Sequence, residues 1–420
     1  MKFISTRGNS PSLSASEAIL KGLAPDGGLY VPEKFPEIEI SDSYKNNYSD
    51  FASEIIKPFF KNDPLYDEIS EICKKSFTFN VPLHWLNDKQ AVLELFHGPT
   101  AAFKDFGARF LANVMERLQK GKDRELTILV ATSGDTGSAV ASAFHNKKGI
   151  QVKVLYPEGR VSKRQEKQLT CWDNNISSYC VKGNFDDCQK MVKTAFQSEE
   201  LANEWNLSSA NSINLGRLLP QIVYFYYSSL LYKDQTGKMP LIIVPSGNVG
   251  NAVGAYWAKE LGAPIEKIVL AVNANTTIPD FLETGVYESR PGIATIANAM
   301  DVGNPSNMER IRTLFPTFKQ ISDNLKAVSV SDKYIRESIR NTYNNFDYIM
   351  CPHTAAGEWL RQKDYSMENT IVVSTAHPAK FETVVEPEIS RTIDIPDSLE
   401  EMMKKNSNFS LINPDSRYLF

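Results

Sequence analysis

The sequence predicts an α/β protein of two open, mostly parallel sheets covered by helices, with a helical and strand segment ahead of them. Three observations carry this prediction. From residue 126 strand-like runs alternate with helical stretches, and repeated βα units of that length imply a parallel sheet with helices on its faces. The alternation comes in two series, the second starting near residue 212. Each series holds a glycine-rich turn directly after a strand and before a helix, so a site is expected where strand C-termini of both sheets face each other.

The 420 residues suffice for two or three domains, and 42% hydrophobic with 23% charged residues is an ordinary globular composition. A net charge of −4 gives no general attraction to nucleic acid or to an anionic membrane. The five cysteines (Cys73, Cys171, Cys180, Cys188, Cys351) are odd in number, scattered and without CxxC spacing. They predict free thiols in a reducing, cytoplasmic setting and no zinc site; no other metal site is expected. No apolar run approaches membrane-spanning length, and no signal-peptide core follows the first basic residues.

In chain order, Ser14 and Glu17 have capping-box spacing ahead of a short helix that Gly22 can stop. Asp26-Gly27-Gly28 is a turn before the strand-like Leu29-Tyr30-Val31, which Pro32 closes. Helical patches follow at 49–57, ended by Pro58, and at 65–73, with Leu65, Ile69, Ile72 and Cys73 on one face. Arg7 reads as a surface residue. An apolar run at 92–96 has strand composition, and the stretch HGPTAAFKDF leads from it into a helix. Phe106, Phe110, Leu111, Val114, Met115 and Leu118 form that helix's buried face.

Lys104 therefore sits at a loop-to-helix junction with small or apolar residues before it. Partial desolvation there lowers a lysine's pKa and makes a neutral amine available, as Schiff-base chemistry requires. A surface lysine beside Asp105 is the simpler reading of that residue alone. A phosphate cradle elsewhere in the chain is what would favour the chemical reading.

The first series has strand-like runs at 126–131, 152–155 and 177–181, with helical stretches at 138–144, 160–169 and 185–196. The second has a helix from 212 to 232, strands at 241–244 and 268–272 and a helix at 251–261. It ends with a helix at 334–343 and strands at 348–350 and 371–374. Residues 276–322 show few periodic runs and read as a long loop. The glycine-rich turns are Thr132-Ser133-Gly134-Asp135-Thr136-Gly137 and Ser246-Gly247-Asn248-Val249-Gly250-Asn251. Glycines at such junctions let backbone N–H groups converge on an anion at a helix N-terminus. Neither turn is a Walker A, and glycines at 247, 250 and 254 miss the spacing of a nicotinamide-dinucleotide fold. Either could be a plain tight turn; two together suggest a ligand with separate anionic ends, or two ligands.

HGPTAAFKDFG, ATSGDTGSA, NSINLGRLLPQ, PSGNVGNAVGA and STAHPAKF, in this order and spacing, resemble the threonine synthase family. SEAILKGLAPDGGLYVPE also resembles that family's N-terminal segment. The resemblance implies pyridoxal 5'-phosphate as cofactor and its fold type II. It implies a threonine-synthase-type segment at 1–95 packed on the large domain, and a small α/β domain at 96–200 with the cofactor lysine and substrate loop. A large domain at 201–385 with the cofactor phosphate loop and a tail at 386–420 complete it.

Residue by residue, the resemblance makes Lys104 the Schiff-base lysine and proton carrier, and puts the cofactor phosphate on the backbone of Gly247, Asn248, Val249, Gly250 and Asn251. Thr375 would meet the pyridine nitrogen, while Ser133, Asp135 and Thr136 would lie by the substrate carboxylate and the ring hydroxyl. Relatives often carry Asn where this chain has Asp135, and a carboxylate there must share or repel a proton beside a phenolate. Asn211, Ser212 and Arg217, with Thr136 opposite, would take the substrate's phosphate, with Arg160 a further candidate. Without the resemblance, Arg217 reads as a surface arginine near a helix N-cap. His353 and His377 are expected to make structural hydrogen bonds.

The implied reaction converts O-phospho-L-homoserine and water to L-threonine and phosphate by γ-elimination and β-addition. The implied partners are that small substrate, no nucleic acid and no membrane, for a monomer or weak homodimer. A serine or threonine dehydratase would share Lys104 and the cofactor loop but need no second phosphate site. A non-catalytic relative is the remaining alternative.

Overall fold

The computed structural model describes residues 1–420, except the side chains of Ser43, Glu199, Ala202 and Asn203. Its first helix, Ala15–Lys21, forms where the capping box requires it: the Ser14 hydroxyl accepts from the Glu17 amide, and the Glu17 carboxylate accepts from the Ser14 N–H. Gly22, at φ 70°, closes the helix. Phe3–Ser5 pairs antiparallel with Tyr30–Pro32. Pro32 thus belongs to the strand it was expected to close, which a two-stranded sheet tolerates because both its strands are edges. The next helix runs Tyr48–Ile56, and Pro58 opens a further 3₁₀ turn, Lys57–Phe60, instead of ending the structure there. The 65–73 patch divides into a 3₁₀ turn, Tyr66–Glu68, and a helix, Ile69–Ser76, with Ile69, Ile72 and Cys73 buried.

Two sheets follow. The six-stranded one has the order Lys326–Ser329, Lys267–Val272, Leu241–Pro245, Thr370–Ser374, Gln90–Glu94, Leu83–Asn87. Only the last pairing is antiparallel. Leu241–Pro245 and Thr370–Ser374 are buried at every residue, as strands of a parallel sheet covered on both faces must be. The five-stranded sheet is parallel throughout, in the order Ser410–Ile412, Ile176–Val181, Ile150–Pro157, Leu126–Ala131, Asn206–Ser209. The strand leading towards Lys104 lies in the six-stranded sheet, and the chain's last strand in the five-stranded one.

Some elements differ from the sequence expectation. Residues 348–350 form no strand: the segment crosses between helices Asp332–Phe346 and Pro352–Asp364, and its apolarity reflects burial there. The Tyr348 hydroxyl donates to Glu94 at 2.8 Å. Residues 276–322 are not one loop but contain helices Thr277–Thr284, Met308–Leu314 and Phe318–Asn324 and a 3₁₀ turn, Asn298–Met300. Such short helices display too little of a period to be read. Asn273, past a strand end, pins the segment by donating to Thr295 (2.9 Å) and Asp301 (2.7 Å).

The 22-residue helix Leu215–Thr236 packs on helices Ala15–Lys21 and Tyr48–Ile56 of the N-terminal segment and on helices Lys104–Gln119 and Gly250–Glu260. Pro220 lies well inside it rather than in its first turn, so the Gly216 carbonyl loses its usual donor. The helix is anchored by Asn214, whose side-chain Oδ1 accepts from the Gly216 amide at 2.9 Å. Its amide nitrogen donates to the carbonyls of Ile19 and Ser209, both at 2.9 Å. Asn214→Ala removes the cap and leaves two buried acceptors bare, so we expect a loss of about 2–3 kcal/mol. A lowered urea midpoint at unchanged slope checks this; an unchanged midpoint would contradict it.

Candidate active site

The HGPTAAFKDF turn is held at one residue from three sides. The Thr100 amide and hydroxyl donate to the Asp105 carboxylate at 2.9 and 2.7 Å. Its carbonyl accepts from Lys380 Nζ at 2.9 Å and from Gln168 Nε2 at 3.0 Å. Gly98 permits the clasp, since an added Cβ would lie 2.5 Å from the Asp105 carboxylate. The turn is then laced to the end of strand Thr370–Ser374: the Phe103 amide donates to the Thr375 carbonyl at 2.8 Å, and the His377 amide to Ala101 at 3.0 Å. Lys104, the first residue of helix Lys104–Gln119, and Thr375 consequently line one cavity of about 290 Å³.

Burial lowers the Lys104 amine to about 8; Asp135 opposes this, and Arg217 and Lys380 add to it. The amine makes no hydrogen bond or ion pair to protein among the described residues and lies 5.7 Å from the centre of the Phe103 ring.

The first glycine-rich turn is tightened by Thr132, whose hydroxyl oxygen accepts from the amides of Gly134 (3.0 Å) and Gly137 (2.8 Å). This presents Ser133, Asp135 and Thr136 to the cavity. Asp135 is not a lone carboxylate: Lys380 Nζ lies 2.8 Å from it and Gln165 Nε2 donates at 3.1 Å. Burial alone would raise its pKa, but Lys380 and Lys104 outweigh that and hold it below the usual carboxylate range.

In the second turn Val249 adopts φ 64°, which points the chain into helix Gly250–Glu260. Residues Gly247, Asn248, Val249, Gly250 and Asn251 all line the cavity. The side chains are spent on the turn itself. Asn248 donates to Ser212 (2.7 Å) and accepts from the Ser306 amide (2.6 Å), while Asn251 accepts from Ser246 (2.6 Å) and donates to Pro245 (2.9 Å). The amides of Gly247, Asn248 and Val249 find no protein acceptor among the described residues. Free N–H groups at a helix N-terminus suit a phosphate.

Asn211, Ser212 and Arg217 form the facing wall. Arg217 is buried, not a surface residue; it gives one N–H to the Ala210 carbonyl and keeps its Nε without a partner. The Asn211 side-chain oxygen is likewise buried and unpaired. Gly107 makes room for the guanidinium, since an added Cβ would sit 2.8 Å from Nε. Burial lowers the Arg217 pKa to about 10, with Asp105 pulling the other way. A buried cation with spare donors calls for an anion.

His353 also lines the cavity, accepting from the Ala299 amide at 3.1 Å; burial lowers its pKa to about 4. His377 instead caps the 3₁₀ turn Pro378–Phe381. Neither His377 nor Arg160 is among the lining residues, and Ser374 turns to Thr354 at 3.1 Å. Sequence reasoning missed Lys380, Gln165 and the 299–306 wall. The first stands inside STAHPAKF, where a lysine among small and apolar residues was the available signal.

A family model described as pyridoxal-phosphate dependent enzyme matches residues 81–373. Models for the threonine synthase N terminus and C-terminal part match 2–77 and 353–418. Threonine synthase of Buchnera aphidicola subsp. Baizongia pistaciae is 38% identical, covering 99% of this chain and 97% of its own. That of Escherichia coli K12 is 36% identical, covering 96% and 94%. The crystal structure of Escherichia coli threonine synthase superimposes with a TM-score of 0.92 at 35% identity, covering 100% of this chain and 98% of that one. PLP-bound threonine synthase from Brucella melitensis gives 0.90 at 31%, covering 100% and 98%.

The Lys104 environment has a measurable cost. A lysine whose pKa falls from 10.5 to about 8 on folding is a full penalty below pH 8, and the penalty vanishes as pH rises through the unfolded value. Lys104→Met should therefore stabilise the cofactor-free chain at pH 7 by roughly 1–3 kcal/mol, the gap closing between pH 8 and 10.5. Urea unfolding at both ends of that window checks it; an equal gain at both would contradict it.

Proposed function

The chain belongs to the threonine synthase family of pyridoxal-phosphate-dependent enzymes, and from that premise we propose which of its residues convert O-phospho-L-homoserine and water to L-threonine and phosphate. The observation that carries the assignment is a pair of separate anion sites within the cavity that Lys104 lines. One is the free amides before helix Gly250–Glu260; the other is Arg217 with its unpartnered Nε. A dehydratase acting on an unphosphorylated amino acid has no use for the second.

The residues present fit the cofactor: free amides for its phosphate, a lysine of lowered basicity for its aldehyde and a neutral hydroxyl for its ring. When bound, the pyridoxal group supplies a sink for the negative charge that develops at the substrate carbons. Gly247, Asn248, Val249, Gly250 and Asn251 would hold its phosphate, and Thr375 would offer its ring a neutral hydroxyl. Lys104 would hold its aldehyde. Asp135 serves the ring hydroxyl as a carboxylate already paired with Lys380. Ser133 and Thr136 orient the substrate carboxylate.

The neutral Lys104 amine would carry one proton at a time: it would take the proton from Cα, hand it to the substrate's phosphate, and then take one from Cβ. Phosphate leaves Cγ, held by Asn211, Ser212 and Arg217 with Thr136 opposite. The lysine would return the Cβ proton to Cγ, water would add its hydroxyl to Cβ, and the proton left from that water would pass through Lys104 to Cα. Five buried, unpaired cysteines support a reducing, cytoplasmic setting. A monomer or weak homodimer is the oligomeric state proposed, as the family resemblance implies. Among the described residues no helix is long and apolar enough to cross a membrane.

A charge-assisted contact to the departing phosphate is worth roughly 1.5–3 kcal/mol, or about ten- to a hundredfold in rate. Arg217→Ala should lose at least that in kcat/KM for O-phosphohomoserine while cofactor content and any slow reaction with serine are nearly unaffected. Equal losses for phosphorylated and unphosphorylated substrates would mean that Arg217 does not read the phosphate.

A further inference from the structure

Lys380 enters the chemistry derived so far only as the partner of Asp135, yet it is the most fully enclosed charge beside the cavity, with no exposed surface. Its ammonium bridges two segments far apart in the chain: Asp135 Oδ1 at 2.8 Å and the Thr100 carbonyl at 2.9 Å. Its own backbone is clamped, since the Ser162 hydroxyl donates to the Lys380 carbonyl at 3.1 Å and Arg164 to the neighbouring Ala379 carbonyl. Gln165, one residue on from Arg164, donates to the other member of the pair, Asp135. The ammonium is therefore not a mobile head that could swing into the cavity.

We propose that Lys380 is a positioning residue for Lys104. From one buried ammonium it fixes the Thr100 turn that leads into Lys104, and it neutralises the carboxylate that faces Lys104 across the cavity. This rests on Lys104 being the cofactor lysine.

The charges around Lys104 show why such a residue is needed. Four charged or titratable groups act on it: Asp135 from helix Asp135–Phe144, Arg217 from helix Leu215–Thr236, Lys380 from the turn Pro378–Phe381, and His353 from helix Pro352–Asp364. Asp135 is the single carboxylate of the set. Asp105, next to Lys104 in the chain, has both oxygens committed to Thr100. An unpaired Asp135 would take Lys104 as its partner and hold the amine as an ammonium, unable to attack or to accept a proton. With Lys380 in contact, the carboxylate has a nearer cation, and the Lys104 amine is left without an ion pair. An asparagine at 135 would need no such counter-charge. Asp135 and Lys380 thus form one functional unit, in which either charge alone is harmful.

The test compares the wild type, Asp135→Asn and the double variant Asp135→Asn/Lys380→Met. Borohydride reduction of the cofactor-loaded wild type, with peptide mapping, first establishes whether the adduct is on Lys104; an adduct elsewhere overturns the functional reading itself. The pH midpoint for Lys104 is then read in cofactor-free chains from the rate of reductive methylation of its peptide. Asp135→Asn removes the anion and leaves the buried ammonium, so the midpoint should fall by about one pH unit. The double variant should recover at least half of that fall. An adduct on Lys104 with a midpoint unmoved in Asp135→Asn, or a double variant no different from the single, overturns the role of Lys380. Should Asp135→Asn fail to fold, the double variant decides. A double variant that folds with its Lys104 midpoint within about half a pH unit of wild type supports the pair as a unit, and one that fails to fold like the single overturns it.

Discussion

Everything in the cavity depends on the clasp of Thr100. A threonine whose amide, hydroxyl and carbonyl are all engaged leaves the turn from Gly98 to Phe103 almost no conformational freedom. The lacing to Thr375 and His377 then fixes where the next helix begins. Lys104 stands at that first position with no side-chain cap preceding it. Tertiary hydrogen bonds hold the helix start, and they also hold Thr375 beside the lysine. Two segments about 270 residues apart are thereby joined into one wall.

The second constraint is charge. Arg217 and Lys380 are the basic groups that act on Lys104 and Asp135 is the carboxylate that does, while Asp186, Arg290 and Asp301 also line the cavity. Lys380 and Asp135 satisfy each other. Lys104 responds by becoming easier to deprotonate, which costs stability and makes it a usable base. Arg217 cannot lose its proton at neutral pH and keeps donors free, which costs stability too unless an anion arrives. The cavity thus gathers basic groups of lowered pKa and unmatched donors, as catalytic sites commonly do. Two anions, one at the free amides and one at Arg217, would satisfy them.

Much of this was legible in the sequence because it was local. The βα alternation, the two glycine-rich turns and the apolar face from Phe106 to Leu118 each declare themselves within a few residues. The elements that escaped lacked local signal. Asn206–Ser209 and Lys326–Ser329 are edge strands with few apolar residues. The helices within 276–322 are seven or eight residues long. Residues 348–350 misled because an apolar triplet buried between helices looks like a strand. In the site, the burial of Arg217 was hidden because Gly107, which makes room for it, lies on another helix. The partner of Asp135 was hidden because it stands 245 positions later in the chain.

The most direct test is a crystal structure of the cofactor-loaded chain with an unreactive phosphonate analogue of O-phosphohomoserine. The account predicts cofactor density joined to Lys104, its phosphate on the amides of Gly247 to Asn251, and the phosphonate against Arg217, Ser212 and Asn211. A phosphonate bound away from Arg217, or a cofactor phosphate held anywhere but at the N-terminus of helix Gly250–Glu260, would contradict it.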